Sequence, residues 1–297
     1  MSVRIIKEPN VDVKRLYRGT QLVRQDLTDE DFVLTVDRAL YFMFSIDDIE
    51  KMQSHVDWMD MAASRAAYNM KEEYDSDILG YMSGFERNID TGVWSARSTA
   101  VGTKAWDDAD SDELLSIHKL TRASFVSGGS SSDSISVGVS GTYDVTPLAL
   151  VNRFNRLLDE QNVPKDGRFI VIDPVFAEKL MDENSKLINN DYNPGADQLE
   201  NGKLIAQKLR GFEVYVSNSL PLVGSGPGTI DDNGSSANYG VIVAGQKDGV
   251  ATAQQLTKTE TYRAQDGFAD VTRGMQVYGR KILRSEALLR AIYNIAH

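Results

Sequence analysis

The sequence predicts an α+β fold, in which long strands, one very long helix and an alternating helix–strand region occupy different parts of the chain. Three observations support this prediction. Side chains alternate with a period of two over 32–44, and apolar residues recur every three or four positions over 46–82. From Thr146 onwards, short helix and strand patterns alternate. The length of 297 residues suits two domains or one large one.

The N-terminal part of the chain predicts a long β-hairpin. Residues 2–17 read as extended, with alternation at Val11, Val13 and Tyr17, and a turn follows near residues 18–20. After a polar stretch, 32–44 predicts a strand of about 43 Å. A two-stranded hairpin is marginal in water by itself, so we expect this hairpin to lie on a partner.

The next element is predicted to be a single helix from Ile46 to Met82. Ser45 fits an N-cap with Asp48 at the third helical position, and Gly84 is a plausible stop. One apolar stripe would follow the helix and consist of Ile49, Met52, Val56, Met59, Ala63, Ala66, Met70, Tyr74, Ile78 and Met82. Such a helix would measure about 55 Å. A compact chain of this size is about 50 Å across, so we expect a flat or elongated molecule.

The region 84–146 reads as irregular, with one short helix near 114–120 and a Ser/Gly loop at 127–132. Helices are then predicted to begin at Thr146-Pro147 and at Asp173-Pro174, where a capping residue precedes a proline. Strands are predicted at 169–172, 212–216, 239–243, 254–263 and 275–284, with an exposed loop at 224–236 and a short helix or tail at the end.

Composition excludes several classes of protein. The chain has no Cys, which removes disulfides, thiolate nucleophiles and Cys-ligated metals. Its net charge of −11 disfavours bulk binding to nucleic-acid phosphates. The N-terminus lacks the apolar core of a signal peptide, and no stretch is long and apolar enough to span a membrane. We therefore expect a soluble protein that stays in a cytoplasm.

No motif predicts a catalytic, cofactor or metal site. The HExxH, GxSxG and GxxxxGK[ST] patterns are absent. Asp108, Asp110 and Asp112 match half of a calcium loop, but Glu113 and Lys119 stand where it needs Gly and Glu. The three histidines, His55, His118 and His297, lie far apart in sequence.

Charge predicts a contact instead. Lys14, Arg15 and Arg18 form a basic cluster near the hairpin tip. The start and polar face of the long helix are acidic, and the candidate contact residues there are Asp47, Asp48, Glu50, Asp57, Glu72 and Glu73. A hairpin that extends from its own body would bring the two sets together between subunits. The alternative is that both sets are simply solvated.

The order of these elements resembles the major capsid (coat) proteins of tailed bacteriophages. The resemblance rests on the strand and helix start at 34–48, the segment Arg168-Phe169-Ile170-Val171-Ile172-Asp173-Pro174, and the segments 209–218 and 278–283. It covers roughly 32–82, 142–221 and 238–293. Each motif is weak by itself, and their order and spacing carry the resemblance.

The resemblance implies the fold named after phage Hong Kong 97. Residues 1–46 would be its extended loop and 47–148 its peripheral domain, with the spine helix at 47–82. Residues 149–250 would be the axial domain, and 251–297 the peripheral strands and C-terminal segment. Family members usually carry an N-terminal arm before the loop, whereas here the loop begins almost at Met1, so arm-mediated contacts are in question. Some members cross-link subunits through Lys and Asn; Lys14 is the lysine on the loop, and no asparagine partner is identifiable.

The implied function is structural. Hexamers and pentamers of the chain would build an icosahedral head that encloses DNA without reading its sequence. Scaffolding, portal and decoration proteins are further partners that the resemblance implies, and neither a cofactor nor a membrane is expected. One alternative is an encapsulin-like shell around a protein cargo. Another, from a different class, is an acidic cytoplasmic hydrolase with a carboxylate site.

Overall fold

The structure is a computed structural model, and it describes residues 2–6, 15, 24, 31–53, 58–89, 92–96, 114, 118–127, 134–138, 143–181, 199–200, 203–204, 209–223, 239–265 and 267–295. Its helices are α1 (Asp48–Gln53), α2 (Trp58–Ser83), α3 (Pro147–Glu160) and α4 (Pro174–Leu180). Its strands are β1 (Ser2–Ile6), β2 (Asp31–Thr35), β3 (Arg38–Asp47), β4 (Phe85–Arg87), β5 (Trp94–Ala96), β6 (Lys119–Leu120), β7 (Ile135–Val137), β8 (Arg168–Ile172), β9 (Leu199–Glu200), β10 (Lys203–Leu204), β11 (Glu213–Val216), β12 (Leu222–Val223), β13 (Tyr239–Gln246), β14 (Val250–Arg263), β15 (Ala269–Ile282) and β16 (Leu288–Ile295).

The chain divides into two compact units. The smaller unit comprises Met1–Trp58 and Thr252–Lys281, and the larger unit comprises Met59–Ala251 and Ile282–His297. The predicted α+β class is confirmed, because the described part of the chain combines extensive sheets with few helices.

The smaller unit is built from strands that are far apart in sequence. β1 runs antiparallel to β2, with Val3 opposite Leu34, which confirms that the two predicted strand segments pair at this end. The predicted alternation at Val11, Val13 and Tyr17 and the turn near 18–20 lie outside the described residues. β3 runs antiparallel to β15, from Arg38 opposite Tyr278 to Asp47 opposite Ala269, and β14 completes the order β14–β15–β3. The predicted strands at 254–263 and 275–284 are therefore confirmed, and both are longer than predicted.

The predicted single strand at 32–44 is two strands that change partner. β2 ends at Thr35 and pairs with β1, whereas β3 begins at Arg38 and pairs with β15. The break at 36–37 is the point at which the chain passes from one sheet to the other. Alternation of side chains continues across this break, so the sequence period did not reveal it.

The predicted helix from Ile46 to Met82 is wrong at its start. Ser45 is not an N-cap, because it lies in β3 opposite Val271, and the strand continues to Asp47. Helix α1 then has six residues and α2 has 26, and residues 54–57 lie outside the described part. The predicted end is confirmed, since Gly84 follows α2 with a φ of 78° and donates its N–H to the carbonyl of Tyr81 at 3.1 Å.

The predicted apolar stripe is buried only at the end of α2. The buried residues of this helix are Ser76, Gly80, Tyr81, Met82 and Ser83. In α1, Ile49 is 63% exposed and Met52 is 90% exposed. The predicted stripe is therefore left partly uncovered within the described residues, most clearly in α1.

The larger unit is organised around a mixed sheet, which within the described residues has the order β6–β16–β13–β8–β11–β10–β9. β8 is parallel to β11 and antiparallel to β13, and β13 is antiparallel to β16. The predicted strands at 169–172, 212–216 and 239–243 are confirmed. Successive side chains of β8 enter different cores: Ile170 and Ile172 pack with α3 and α4, while Val171 packs with Tyr81 and Phe85. Burial on both faces explains why these strands read as continuous apolar runs.

Both proline-initiated helices of this unit are confirmed. The Thr146 hydroxyl accepts the Ala149 N–H at 3.3 Å at the start of α3, and the Asp173 carboxylate accepts the Phe176 N–H at 2.9 Å at the start of α4. A capping side chain typically stabilises a helix by about 1 kcal/mol. These contacts orient both helices against the sheet.

Two predictions in this unit need correction. The C-terminal segment is neither a helix nor a tail, because β16 lies between β13 and β6. Its buried side chains include Leu289, Ala291, Tyr293 and Ile295, which alternate as a strand requires. The short helix predicted near 114–120 also fails at its end, where Lys119–Leu120 is strand β6. The predicted loops at 127–132 and 224–236 lie largely or wholly outside the described residues.

Candidate subunit-contact surfaces

The predicted basic cluster can be placed only in part. Arg15 is exposed, and Lys14 and Arg18 lie outside the described residues, as does Asp57 of the acidic set. The proposed pairing of the basic tip with an acidic face therefore stays a prediction. The remaining acidic candidates have defined positions, and they differ in whether their carboxylates form contacts within the chain.

Asp47 and Asp48 are both occupied by contacts in the smaller unit. The Asp47 carboxylate accepts the N–H of Ile49 at 3.2 Å. The carboxylate of Asp48 accepts hydrogen bonds from both terminal nitrogens of the Arg263 guanidinium. The distance from Arg263 Nη1 to Asp48 Oδ1 is 3.3 Å. The hydrogen bond from Arg263 to Asp48 is the main cause of a raised pKa for Arg263. These two acids therefore organise the chain itself.

The ion pair of Asp48 belongs to a wider charge cluster at the end of the β14–β15–β3 sheet. The Asp270 carboxylate lies 3.0 Å from the Lys51 ammonium and 3.5 Å from the Arg263 guanidinium. The hydrogen bond from Lys51 lowers the pKa of Asp270. The backbone N–H of Asp48 donates to the carbonyl of Phe268 at 2.9 Å, which fixes the start of α1 against the β14–β15 turn. Sequence reasoning missed this cluster, because Asp48 and Lys51 lie more than 200 residues from Arg263 and Asp270.

The other acidic candidates divide in the same way. Glu73 on α2 is partly buried and pairs with Arg87 on β4. Glu50 on α1 and Glu72 on α2 are exposed. Glu50 and Glu72 are thus the two described candidates that are exposed and pair with no other described residue.

Helix α2 also presents apolar side chains to solvent. Met61 and Tyr68 are exposed, and the Arg65 guanidinium lies 5.4 Å from the centre of the Tyr68 ring. Met61, Arg65 and Tyr68 are spaced by four and three residues, so they share one helical face. This face is a candidate contact surface that the sequence stripe did not include.

Two buried ionisable groups in the larger unit have structural roles. The Asp173 carboxylate caps α4 and accepts the Tyr293 hydroxyl, while the Tyr293 ring packs edge-on to Phe176 at 5.3 Å. Burial is the main cause of the raised pKa of Asp173. His118 is fully buried, and its Nδ1 lies 3.4 Å from the carbonyl of Ser285. Both groups join β16 to neighbouring segments, through Tyr293 and Leu288.

His118 is expected to make stability fall in mild acid. Burial lowers its pKa from the ordinary 6.5, opposed by hydrogen bonds at Ser285 and Leu288 and by the charge of Glu286. The imidazole of His118 therefore takes up a proton at a higher pH in the unfolded chain than in the folded chain. The free energy of unfolding is greatest above the unfolded pKa and falls as pH drops towards the folded pKa, by at most about 1.4 kcal/mol per pH unit. Urea unfolding of dissociated subunits at about pH 8 and about pH 5.5 tests this sign. His118→Gln, which keeps a hydrogen-bond donor but does not titrate, should lose less stability between the two values; parallel losses would contradict the assignment.

Among the described residues, no group of three or more His, Cys, Asp or Glu is arranged to hold a metal ion. In that same part of the chain, no helix is long and apolar enough to cross a membrane.

Comparison with known proteins finds similarity in structure. No family model matches the sequence, and no curated protein matches it. The capsid of Ralstonia phage GP4 superposes with a TM-score of 0.65 at 11% identity, covering 99% of this chain and 84% of the other. The capsid of cyanophage Pam1 gives 0.65 at 13% identity, with the same coverage, and the capsid of cyanophage P-SCSP1u gives 0.62 at 17% identity over 100% and 83%. The chain therefore has the fold of phage capsid proteins over almost its whole length.

Proposed function

We propose that this chain is the major capsid protein of a tailed bacteriophage and that it self-assembles into the head that encloses the phage DNA. The observation that carries the proposal is the whole-chain likeness to three phage capsids at TM-scores of 0.62–0.65. A likeness that covers 99–100% of the chain leaves little of the described fold to serve a different purpose.

The proposal extends to the parts of the chain. Residues 1–46 act as an extended loop that laps a neighbour, and helix α2 (Trp58–Ser83) acts as the spine helix of a peripheral domain that spans 47–148. Residues 149–250 form the axial domain, strands β14 and β15 return to the peripheral region, and β16 follows as a C-terminal segment in the same sheet as the axial strands. The β1–β2 pairing supports a projecting hairpin, and the largely unburied first turns of α2 support a helix covered by other subunits.

On this proposal, the protein works by geometry rather than by catalysis. Hexamers and pentamers close a shell when exposed apolar surfaces of one copy are buried by the next. The net charge of −11 keeps the shell from adhering to packaged DNA through phosphate contacts. Scaffolding, portal and decoration proteins are further partners that fit this role. The shell would assemble in the host cytoplasm and become the capsid of the virion.

Negative-stain electron microscopy of the purified protein tests the proposal. Uniform shells, or rings of five and six copies, are the expected result from virions or from expressed protein. Shells that contain a protein cargo instead of DNA would replace the head by an encapsulin-like compartment. Small, soluble oligomers from native material would contradict both shell functions and favour the hydrolase.

Reversing charge at the proposed hairpin tip should impair assembly without unfolding the subunit. In the double variant Arg15→Glu/Arg18→Glu, the tip repels the acidic side chains that it is proposed to meet, such as Glu50 and Glu72. Particle yield by sedimentation is expected to fall at low salt, with an unchanged circular dichroism spectrum.

The matched control changes net charge equally at exposed bases of the larger unit, Arg156→Glu and Lys165→Glu, and should have a smaller effect on yield. Combining the tip variant with Glu50→Arg/Glu72→Arg should restore part of the yield. Equal yields from the tip and control variants would remove the electrostatic pairing while leaving the capsid proposal in place.

A further inference from the structure

Strand β3 carries apolar side chains on both of its faces. Leu40, Phe42 and Phe44 point to one side and are partly buried, and the Phe42 and Phe44 rings stack with centroids 6.1 Å apart. Tyr41 and Met43 point to the other side and are 81% and 59% exposed. Strands that are apolar on both faces normally have cover on both. The described chain supplies cover on one face only.

The neighbouring strands continue the exposed apolar surface. Met275 lies opposite Tyr41, and Arg273 lies opposite Met43, so all four side chains share a face of the β14–β15–β3 sheet. The Arg273 guanidinium stands 5.0 Å from the centre of the Tyr262 ring. We call the surface made by Tyr41, Met43, Glu260, Tyr262, Arg273 and Met275 the open sheet face. Its large side chains are those enriched at the centres of protein interfaces.

The charged side chains of the open sheet face form ion pairs with their neighbours. The Glu260 carboxylate accepts two hydrogen bonds from Arg273, at 2.8 and 3.3 Å, and it also pairs with Lys258. The hydrogen bond from Lys258, followed by that from Arg273, lowers the pKa of Glu260. The planar guanidinium is therefore held between a carboxylate and an aromatic ring, where it adds contact area without projecting as an isolated charge.

The low local net charge of the open sheet face indicates which kind of partner it can contact. Copies of a chain with net charge −11 repel one another, so they can approach closely only through patches where charge is balanced or positive. The open sheet face meets that condition and is apolar as well. A polyanion would find an excess of only one cation there, because Lys258 and Arg273 share the Glu260 carboxylate.

We propose that the open sheet face is a contact surface for a second copy of this chain and that Tyr41 and Met43 are its central anchors. This inference rests on the proposed shell function for the existence of an assembly and adds the residues through which copies meet. Arg273 positions the Tyr262 ring and excludes water at the rim of the contact. The partly buried opposite face, with Phe42 and Phe44, stays within its own subunit.

Photo-crosslinking tests the identity of the partner. A photoreactive phenylalanine derivative is placed at Tyr41 in full-length protein, and heavy-isotope-labelled and unlabelled chains are mixed before assembly. The expected product is a crosslinked dimer whose peptides come only from this chain and pair heavy with light. Crosslinks that lead only to another protein, or none in assembled material, would overturn the proposal.

A labelling experiment tests independently whether the open sheet face is buried in the assembly. Because the chain has no native Cys, an introduced thiol is the only one that can react. Met43→Cys should react with a maleimide in dissociated subunits and lose most of that reaction in the assembly. Lys165→Cys, at an exposed site of the larger unit, is the matched control and should keep more of its reactivity. A position-43 thiol that reacts equally in both states would overturn the proposal.

An assembly titration measures the anchors. Tyr41→Glu/Met43→Glu should raise the protein concentration needed for assembly by about tenfold or more, as expected when central side chains of an interface are lost. Shells that form with a reactive thiol at position 43 would keep the proposed function and reject this contact. Small oligomers that crosslink at Tyr41 would keep the contact and reject the shell, and a chain that stays monomeric at high concentration would reject both.

Discussion

Replacing Arg168 by alanine is expected to destabilise the larger unit by about 3–5 kcal/mol, from unpaired acceptors and a cavity. Arg168 begins β8 and is only 1% exposed. Its guanidinium donates to the side chains of Asn155 and Asp159 at 2.5 and 2.8 Å, and to the carbonyls of Val163 and Pro164 at 2.5 and 3.0 Å. One side chain thus ties α3 to the turn that leads into the sheet.

The cost arises from what truncation leaves behind. The buried backbone carbonyl of Val163 would lose its donor, and a buried unsatisfied acceptor costs about 1–3 kcal/mol. The carbonyl of Pro164, an exposed residue, adds less because water can replace the lost donor. Asp159 is partly exposed and can be solvated, so it adds little to the loss. Arg168→Lys should fall between the wild type and alanine, because one ammonium group cannot match the planar fork of a guanidinium.

Urea unfolding of dissociated subunits, followed by circular dichroism, measures this difference. Arg156→Ala is the matched control, since Arg156 lies on α3, the helix that Arg168 contacts, and forms an exposed ion pair with Glu160 at 3.1 Å. That change should cost less than about 0.5 kcal/mol. Similar losses for the two alanine variants would mean that the buried network of Arg168 does not stabilise the turn.

Arg168 also shows where sequence reasoning reached its limit. The segment 168–174 was recognised as a strand followed by a helix, and both elements are present. An arginine before an apolar run gave no indication of burial, because its acceptors come from a helix and a turn that only the fold brings around it. Two of those acceptors are backbone carbonyls, which carry no sequence signal at all.

Local signals were reliable for a physical reason. The helix starts at Thr146 and Asp173 depend on a bond to an N–H three residues away, and both were predicted correctly. The same kind of signal failed at Ser45. There, β3 pairs with β15 through Asp47, and this long-range pairing keeps Ser45 in a strand. A cap is a local preference that a continuous ladder of backbone hydrogen bonds overrides.

The candidate contact surface was predicted only in outline. Charge patterning identified Asp48 as a group for a neighbouring subunit, but its carboxylate pairs with Arg263 inside the chain. The open sheet face was missed, although the apolar residues on both faces of 38–47 were visible in the sequence. Exposure decides which of those faces is available, and exposure depends on strands β14 and β15, more than 200 residues away.

Adding a single methyl group at Gly279 is expected to disrupt the smaller unit, at a cost of about 2–3 kcal/mol. A Cβ at this position would lie 2.2 Å from the carbonyl oxygen and 2.9 Å from the carbonyl carbon of Thr35, at the end of β2. Both are backbone atoms, so no side-chain rotation can relieve the overlap. Gly279→Ala therefore has to push β2 away from β15 or distort β15 itself.

Gly267→Ala is the matched control for this change. Gly267 belongs to the same unit, in the turn between β14 and β15, and a Cβ built there meets no atom within 4 Å. Its cost should stay within about 0.5 kcal/mol, as for an ordinary surface substitution. Hydrogen exchange distinguishes the two variants, because only Gly279→Ala should speed exchange of the amides of β1 and β2. If both variants exchanged alike, the contact at Thr35 would not hold these strands in place. If β2 alone were released while assembly failed, this contact would be what positions the N-terminal hairpin for its proposed neighbour.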